Sequence, residues 1–191
     1  AFVSADGTNV LLQKGVQTPT GSPTFLSFLD DDGSSDRGGL RVADNGTSWI
    51  GTGRHQNGGS VTASDDTVVL VNGAQVIREG TPLPGFTAGT NNFAFGRVVM
   101  DADGTWWATG SNNDTTNPAF NTGQDWVVRN GVVVARTGDP VIAGSTETWS
   151  DRRVPQTFFH YQSNGADQII SGLTSVENVD PQTDGVLVWR N

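Results

Sequence analysis

Short runs of β-branched and other apolar residues recur along the 191-residue chain, separated by residues typical of tight turns. VVLVNGAQVIREG (68–80) and DWVVRNGVVVARTG (125–138) each carry Asn-Gly at the centre. Both central positions of a type I′ turn take positive φ, so Asn-Gly between β-branched runs predicts a β-hairpin. A second kind of hairpin is predicted at RVADNGTSWIGTG (41–53) and VVMDADGTWWATG (98–110), with QSNGADQIISG (162–172) as a weaker copy. The opening stretch AFVSADGTNVLLQKG (1–15) aligns with the Asn-Gly hairpins, and the chain closes on GVLVWRN (185–191), a copy of their first strand.

The spacing of these signals is regular. The turn glycines Gly46, Gly104 and Gly165 lie 58 and 61 residues apart, and the Asn-Gly glycines Gly73 and Gly131 each follow by 27. Proline-containing turns ending in glycine come next: GVQTPTG, GTPLPG and GDPVIAG. The chain therefore reads as one repeat domain, 1–191, with repeat one at about 1–66, repeat two at about 67–124, repeat three at about 125–184 and a partial fourth at 185–191. In the middle copy the strands are VVLVN, AQVIRE, RVVMD and TWWATG, turning at Asn-Gly, at the proline loop and at Asp-Gly. The expected fold is all-β: three tandem four-stranded antiparallel meanders plus one extra C-terminal strand, β-propeller-like, with a pseudo-threefold prism or trefoil-like closure as the alternative. Propellers typically have four to eight blades, so further repeats or further copies are expected to complete the assembly.

Alternation along the strands suggests which side chains face inward. Counting from the turn glycine, the third residue is Trp49, Trp107 or Gln168, and the second is Ser48, Trp106 or Asp167. Successive strand residues face opposite sides, so the first column is expected inward and the second outward. Trp106 is then the candidate for an exposed indole that stacks on a sugar and keeps its N–H free for a hydrogen bond. Trp126 and Trp189 fall in first-strand copies and are expected in the core or between repeats.

Composition and charge narrow the partners. With 25 glycines, 8% aromatics and 35% hydrophobic residues, the chain suits short strands and tight turns. A net charge of -9 repels phosphate backbones, so nucleic acid is not an expected partner. There is no cysteine, hence no disulfide and no thiolate metal site. No apolar run is long enough for a membrane-spanning helix. AFVSADG lacks the basic and apolar regions of a signal peptide, which fits a mature product whose leader has been removed.

Candidate chemistry is sparse. The acidic run LDDDGSSDRGG (29–39) lies where the first copy carries extra residues, since Gly15 to Gly46 spans 31 against 24 and 27 in the others. Asp30, Asp32 and Asp36 around Gly33 offer hard oxygen ligands of the kind calcium takes, without a full EF-hand pattern; the other reading is a solvated loop, and no other cofactor is expected. Three glutamates (Glu79, Glu147, Glu177) and two histidines (His55, His160) stand at no spacing that defines acid–base catalysis. Asp44 and Asp103 recur at the hairpin, where an Asp side chain bonds the turn backbone.

The succession of an NG hairpin, an R-E/T-G turn with proline and a D-x-D/N-G-T-x-W hairpin resembles the tandem β-repeats of secreted bacterial proteins, often found with C-terminal surface-anchor segments. Its Asp-Gly-Thr-x-Trp part also resembles blades of sensor-associated propellers. The resemblance implies fold and an extracellular or cell-surface location, and it offers no catalytic motif; the third copy departs from it at Gln168. The expected function is a non-catalytic structural or adhesive protein whose partners are copies of itself or further repeats. Strand exchange through Val186, Leu187, Val188 and Trp189 would provide the contact. The alternatives are a glycan-binding module using Trp106 and the loop GSNNDTTNPAFN (110–121), and a polysaccharide-cleaving propeller enzyme.

Overall fold

The turn chemistry is realised as expected in both described Asn-Gly hairpins. Asn72 and Asn130 take φ of 49° and 47°, and the glycines after them, Gly73 and Gly131, both take 82°. The computed structural model describes residues 2–3, 7, 10–13, 15–16, 18–22, 26–29, 40–43, 46–55, 60–62, 64–86, 90–114, 124–149, 158–163, 167–173 and 185–190. All regular elements among them are strands, and no sheet closes on itself.

Four sheets follow one another along the chain. The first is the hairpin of β1 (Phe2–Val3) and β2 (Val10–Leu12). The second contains β3 (Leu26–Leu29), β4 (Arg41–Val42), β5 (Trp49–His55), β6 (Thr67–Val71) and β7 (Ala74–Arg78), in the order β3-β5-β6-β7 with β4 also paired to β5. The third is β8 (Thr90–Met100), β9 (Trp106–Asp114), β10 (Asp125–Arg129) and β11 (Val132–Arg136), paired in chain order. The last holds β12 (Phe158–Ser163), β13 (Gln168–Leu173) and β14 (Gly185–Arg190), again in chain order. Every strand pair is antiparallel. The extra residues of the first copy fall between β3 and β4, which pair with opposite ends of β5, whereas the single strand β8 runs along the whole of β9.

The expected meander is cut at a different place. Each full sheet joins an Asp-Gly or Asn-Gly-Thr hairpin to the Asn-Gly hairpin after it, so the pairing continues from β5 to β6 and from β9 to β10. The proline loops, expected to join neighbouring strands, instead connect one sheet to the next. The physical reason lies in what those loops carry. Proline has no N–H to give to a ladder, and the residues beside it are apolar plugs: Leu83 and Val141 are 5% and 3% exposed, each buried in a cluster between sheets.

Three clusters show where the core sits. Leu12 of the hairpin packs with Trp49, Val68 and Leu70 of the second sheet. Ile50, Val69 and Ile77 pack with Val98, Trp106, Ala108 and Val128 of the third. Trp107 and Val127 then pack with Tyr161 and Ile170 of the last. Apolar surface is thus buried on both faces of the second and third sheets, as in strands of a sheet covered on both sides.

The three Asn-Gly-type hairpins share one irregularity. The pairings Phe2↔Leu12 and Val3↔Val10, Val69↔Ile77 and Leu70↔Gln75, and Val127↔Ala135 and Val128↔Val133 each enclose a register shift at the same step. The asparagine also does more than turn the chain. Its N–H and side-chain oxygen clamp the preceding hairpin: Asn72 N–H donates to Trp49 O at 3.0 Å and Asn72 Oδ1 accepts from Trp49 N–H at 2.8 Å. Asn130 makes the same pair with Trp106, at 2.9 Å each way.

This clamp predicts an unusual ranking of substitutions. Asn130→Gly keeps the positive φ and loses one side-chain hydrogen bond, for a cost of about 1 kcal/mol. Asn130→Ala loses the same bond and adds left-handed strain of roughly 1 kcal/mol more. Urea denaturation should therefore place the glycine variant above the alanine variant in stability.

Candidate functional site

The one indole expected on the surface is inside. Trp106 is 9% exposed and belongs to the cluster between the second and third sheets, which corrects its outward placement. Two physical causes account for this. The sheet is covered on both faces, so its strands have no outward column. The two Asp-Gly-type turns also differ in length: Ala43 N–H bonds Ser48 O, whereas Asp101 N–H bonds Thr105 O, leaving four residues between partners in one and three in the other. The structural counterpart of Trp49 is therefore Trp106, the two residues held by Asn72 and Asn130, and the counterpart of Trp107 is Ile50.

The other predicted site residues separate. Asp30, Asp32 and Asp36 lie outside the described residues. Val186, Leu187, Val188 and Trp189 form the middle of β14, opposite Gly172, Ser171, Ile170 and Ile169 of β13. No three metal-ligating side chains converge among the described residues.

The Asp-Gly-Thr-Trp-Trp hairpin carries a buried anchor. Trp107 is fully buried and its Nε1–H donates to Asp101 Oδ2 at 2.7 Å, while the Arg129 guanidinium lies 5.6 Å from its ring centroid. Asp103 Oδ1 accepts from Thr105 N–H at 2.8 Å, the turn role expected of it. That backbone bond first, with Arg129 nearby, holds the Asp103 carboxyl below its ordinary pKa.

A polar cluster that the sequence reading passed over surrounds His55. The ring is 1% exposed, and its Nε2 is 2.9 Å from Gln75 Oε1. An amide oxygen only accepts, so Nε2 is the donor to Gln75, and Ser22 Oγ lies 3.0 Å from Nδ1. Ser22 Oγ is also 3.2 Å from Nε2, so it sits across the ring edge between the two nitrogens, off the line a general base needs to take its proton. The array fastens a connector instead. Thr20 N–H donates to Gly73 O at 3.0 Å and Gln75 N–H to Thr20 O at 2.8 Å, laying this segment parallel to β7.

Its position recurs. Asn112 is also 1% exposed, accepts at Oδ1 from Trp126 Nε1–H at 2.9 Å, and like His55 directs its backbone N–H to the residue before the next strand. Both are the seventh residue of a tryptophan-led strand, WIGTGRH and WWATGSN, and aligning Trp49 with Trp106 is the signal that finds them. Glu79 completes the set. Its Oε2 accepts from Thr67 N–H at 3.2 Å, as Thr137 Oγ1 does from Asp125 N–H at 3.1 Å in the next sheet. Burial, with Asp66 adding to it, raises the Glu79 pKa despite the bonds from Thr67.

Two predictions follow from these placements. Trp106→Ala should cost about 3–5 kcal/mol in chemical denaturation, the range for removing a buried aromatic, where an exposed platform would cost little. Because the folded pKa of Glu79 is raised, its contribution to stability is fully present below the unfolded value near 4.5 and is lost as pH rises through the folded value. Glu79→Gln keeps an acceptor for Thr67 N–H and removes that loss, so its stability relative to the parent should increase as pH rises from acid to neutral.

Comparison with family models, curated proteins and solved structures finds no match to this chain.

Proposed function

We propose that this chain is a non-catalytic structural or adhesive β-repeat protein of the cell exterior, its sheets stacked in propeller-like succession, which assembles with further copies of itself. The observation that carries this reading is the use of equivalent positions to bind sheet to sheet. Trp49 and Trp106 pack toward the sheet before their own, and Ile50 and Trp107 toward the one after. A succession built this way depends on neighbours at every step, a kind of contact that another copy can also supply. The acid–base groups support the non-catalytic part, because His55 and Glu79 are engaged in holding backbone segments. The exterior location rests on the resemblance to secreted repeats.

Sedimentation velocity across a wide concentration range tests the assembly, with negative-stain microscopy to give its form. We expect species heavier than the 20.1 kDa of one chain, growing with concentration. A single species of one-chain mass at every concentration would sink the reading.

A further inference from the structure

We propose that Arg41 and Arg97 together form the place where the acidic surface of a second copy binds; this rests on the self-assembling reading above. The site is built on a β-bulge in β8. Phe95 pairs with Gly110 and Val98 with Ala108, so Gly96 and Arg97 together stand opposite the single residue Thr109. The other sheets depart from regular pairing at the same place. In the last sheet Phe158 pairs with Gly172 and His160 with Ser171, with Phe159 as the additional residue. In the second sheet Leu29 pairs with Gly53 and Arg41 with Ile50, and the interval that spans Thr52 is where β3 gives way to β4. Thr52, Thr109 and Ser171 each precede a glycine, so the irregularity recurs with the pair Thr/Ser-Gly.

Bulges near sheet edges re-aim a side chain, and in β8 that side chain is Arg97. Both of its backbone groups are held by side chains. Its N–H donates to Thr109 Oγ1 at 3.0 Å, and its carbonyl oxygen accepts from the Tyr161 hydroxyl at 2.5 Å. A Cβ on Gly96 would stand 2.6 Å from Thr109 Oγ1, the atom that receives the Arg97 N–H, so the bulge is built around glycine. Tyr161 comes from the last sheet and is buried, which sets the exposed Arg97 side chain on a fixed root.

A second arginine joins it from the second sheet. Arg41 is exposed on β4, which lies beside β8, and its Nη1 donates to Leu40 O at 3.0 Å. Burial raises the pKa of the Tyr161 hydroxyl, while the Thr109 hydroxyl and then the charges of Arg97 and Arg41 draw it down, so both guanidinium groups act on one point. Other arginines are engaged within the molecule: Arg78 with Asp65, Arg136 with Asp139, and Arg129 over the ring of Trp107.

The occupant follows from charge. With 20 acidic residues against 11 basic ones and a net charge of -9, copies of this chain repel one another at most relative orientations. A contact that joins copies has to bring unlike charges together, and Arg41 with Arg97 puts two positive charges at one exposed place. Guanidinium groups pair with carboxylates through two parallel hydrogen bonds. Carboxylates are what a second copy presents in excess.

Sedimentation velocity on matched variants separates this contact from net charge alone. Arg97→Gln and Val132→Glu, the latter at a 64% exposed site on β11, each add one negative charge to the net -9. We expect Arg97→Gln to raise the concentration of half-association about two- to fivefold, the range for one exposed ion pair, and Arg41→Gln added to it to raise it further. Val132→Glu should have a smaller effect. No weakening by Arg97→Gln, or weakening equal to that by Val132→Glu, would overturn the arginine site while leaving self-assembly intact; a parent that stays monomeric would overturn both. Unchanged association, with the parent but not Arg97→Gln retained on immobilised polygalacturonate, would overturn the second copy as occupant in favour of an acidic glycan. The bulge is held through the backbone of residue 97, so the variants should unfold at the parent's temperature. Should Arg97→Gln unfold earlier, Arg41→Gln alone carries the same comparison.

Discussion

A sheet that lies between two others must present apolar side chains on both faces, and that demand organises this protein. In an ordinary two-layer β protein one face meets water, and the alternation of apolar and polar residues records it. Here β5, β6, β9 and β10 are buried on both sides, and Ile50 next to Trp49, or Trp107 next to Trp106, is the result. Adjacent large residues that point opposite ways are what such a strand requires. The same demand explains the proline loops, whose Leu83 and Val141 fill the space between sheets that the strands leave open.

Double coverage leaves the backbone groups at the sheet ends as the costly part of the structure, because an unpaired buried N–H or C=O loses its water without replacement. The polar residues gather there. Asn72 and Asn130 close one end of the second and third sheets, and His55, Glu79, Asn112 and Thr137 serve the other. That a carboxylate in one sheet is matched by a threonine in the next argues that the bond to the strand N–H matters, and the charge does not. Glu79 accordingly carries its burial as a raised pKa.

The two described Asn-Gly turns and the Asp103 turn were legible in the sequence. Asn-Gly forces positive φ locally, and Asp103 bonds its own turn, so these elements follow from a few neighbouring atoms. The polar cluster was not legible by motif, because Ser22, His55 and Gln75 are brought together from separate parts of the chain. Trp106 was misread for a different reason. One additional residue in the turn between Ala43 and Ser48 shifts the comparison of the two copies by one position, and with period-two strands a shift of one exchanges the faces.

Sequence alone thus determined that the chain is all-β and where its Asn-Gly hairpins turn, since turn chemistry and β-branched runs act over a few residues. The tertiary structure decided which hairpins share a sheet, that the proline loops cross between sheets, and which neighbour each tryptophan faces. Those outcomes depend on apolar surfaces finding cover from distant segments. Hydrophobic burial is indifferent to which residue supplies the cover, and only the folded arrangement makes that choice.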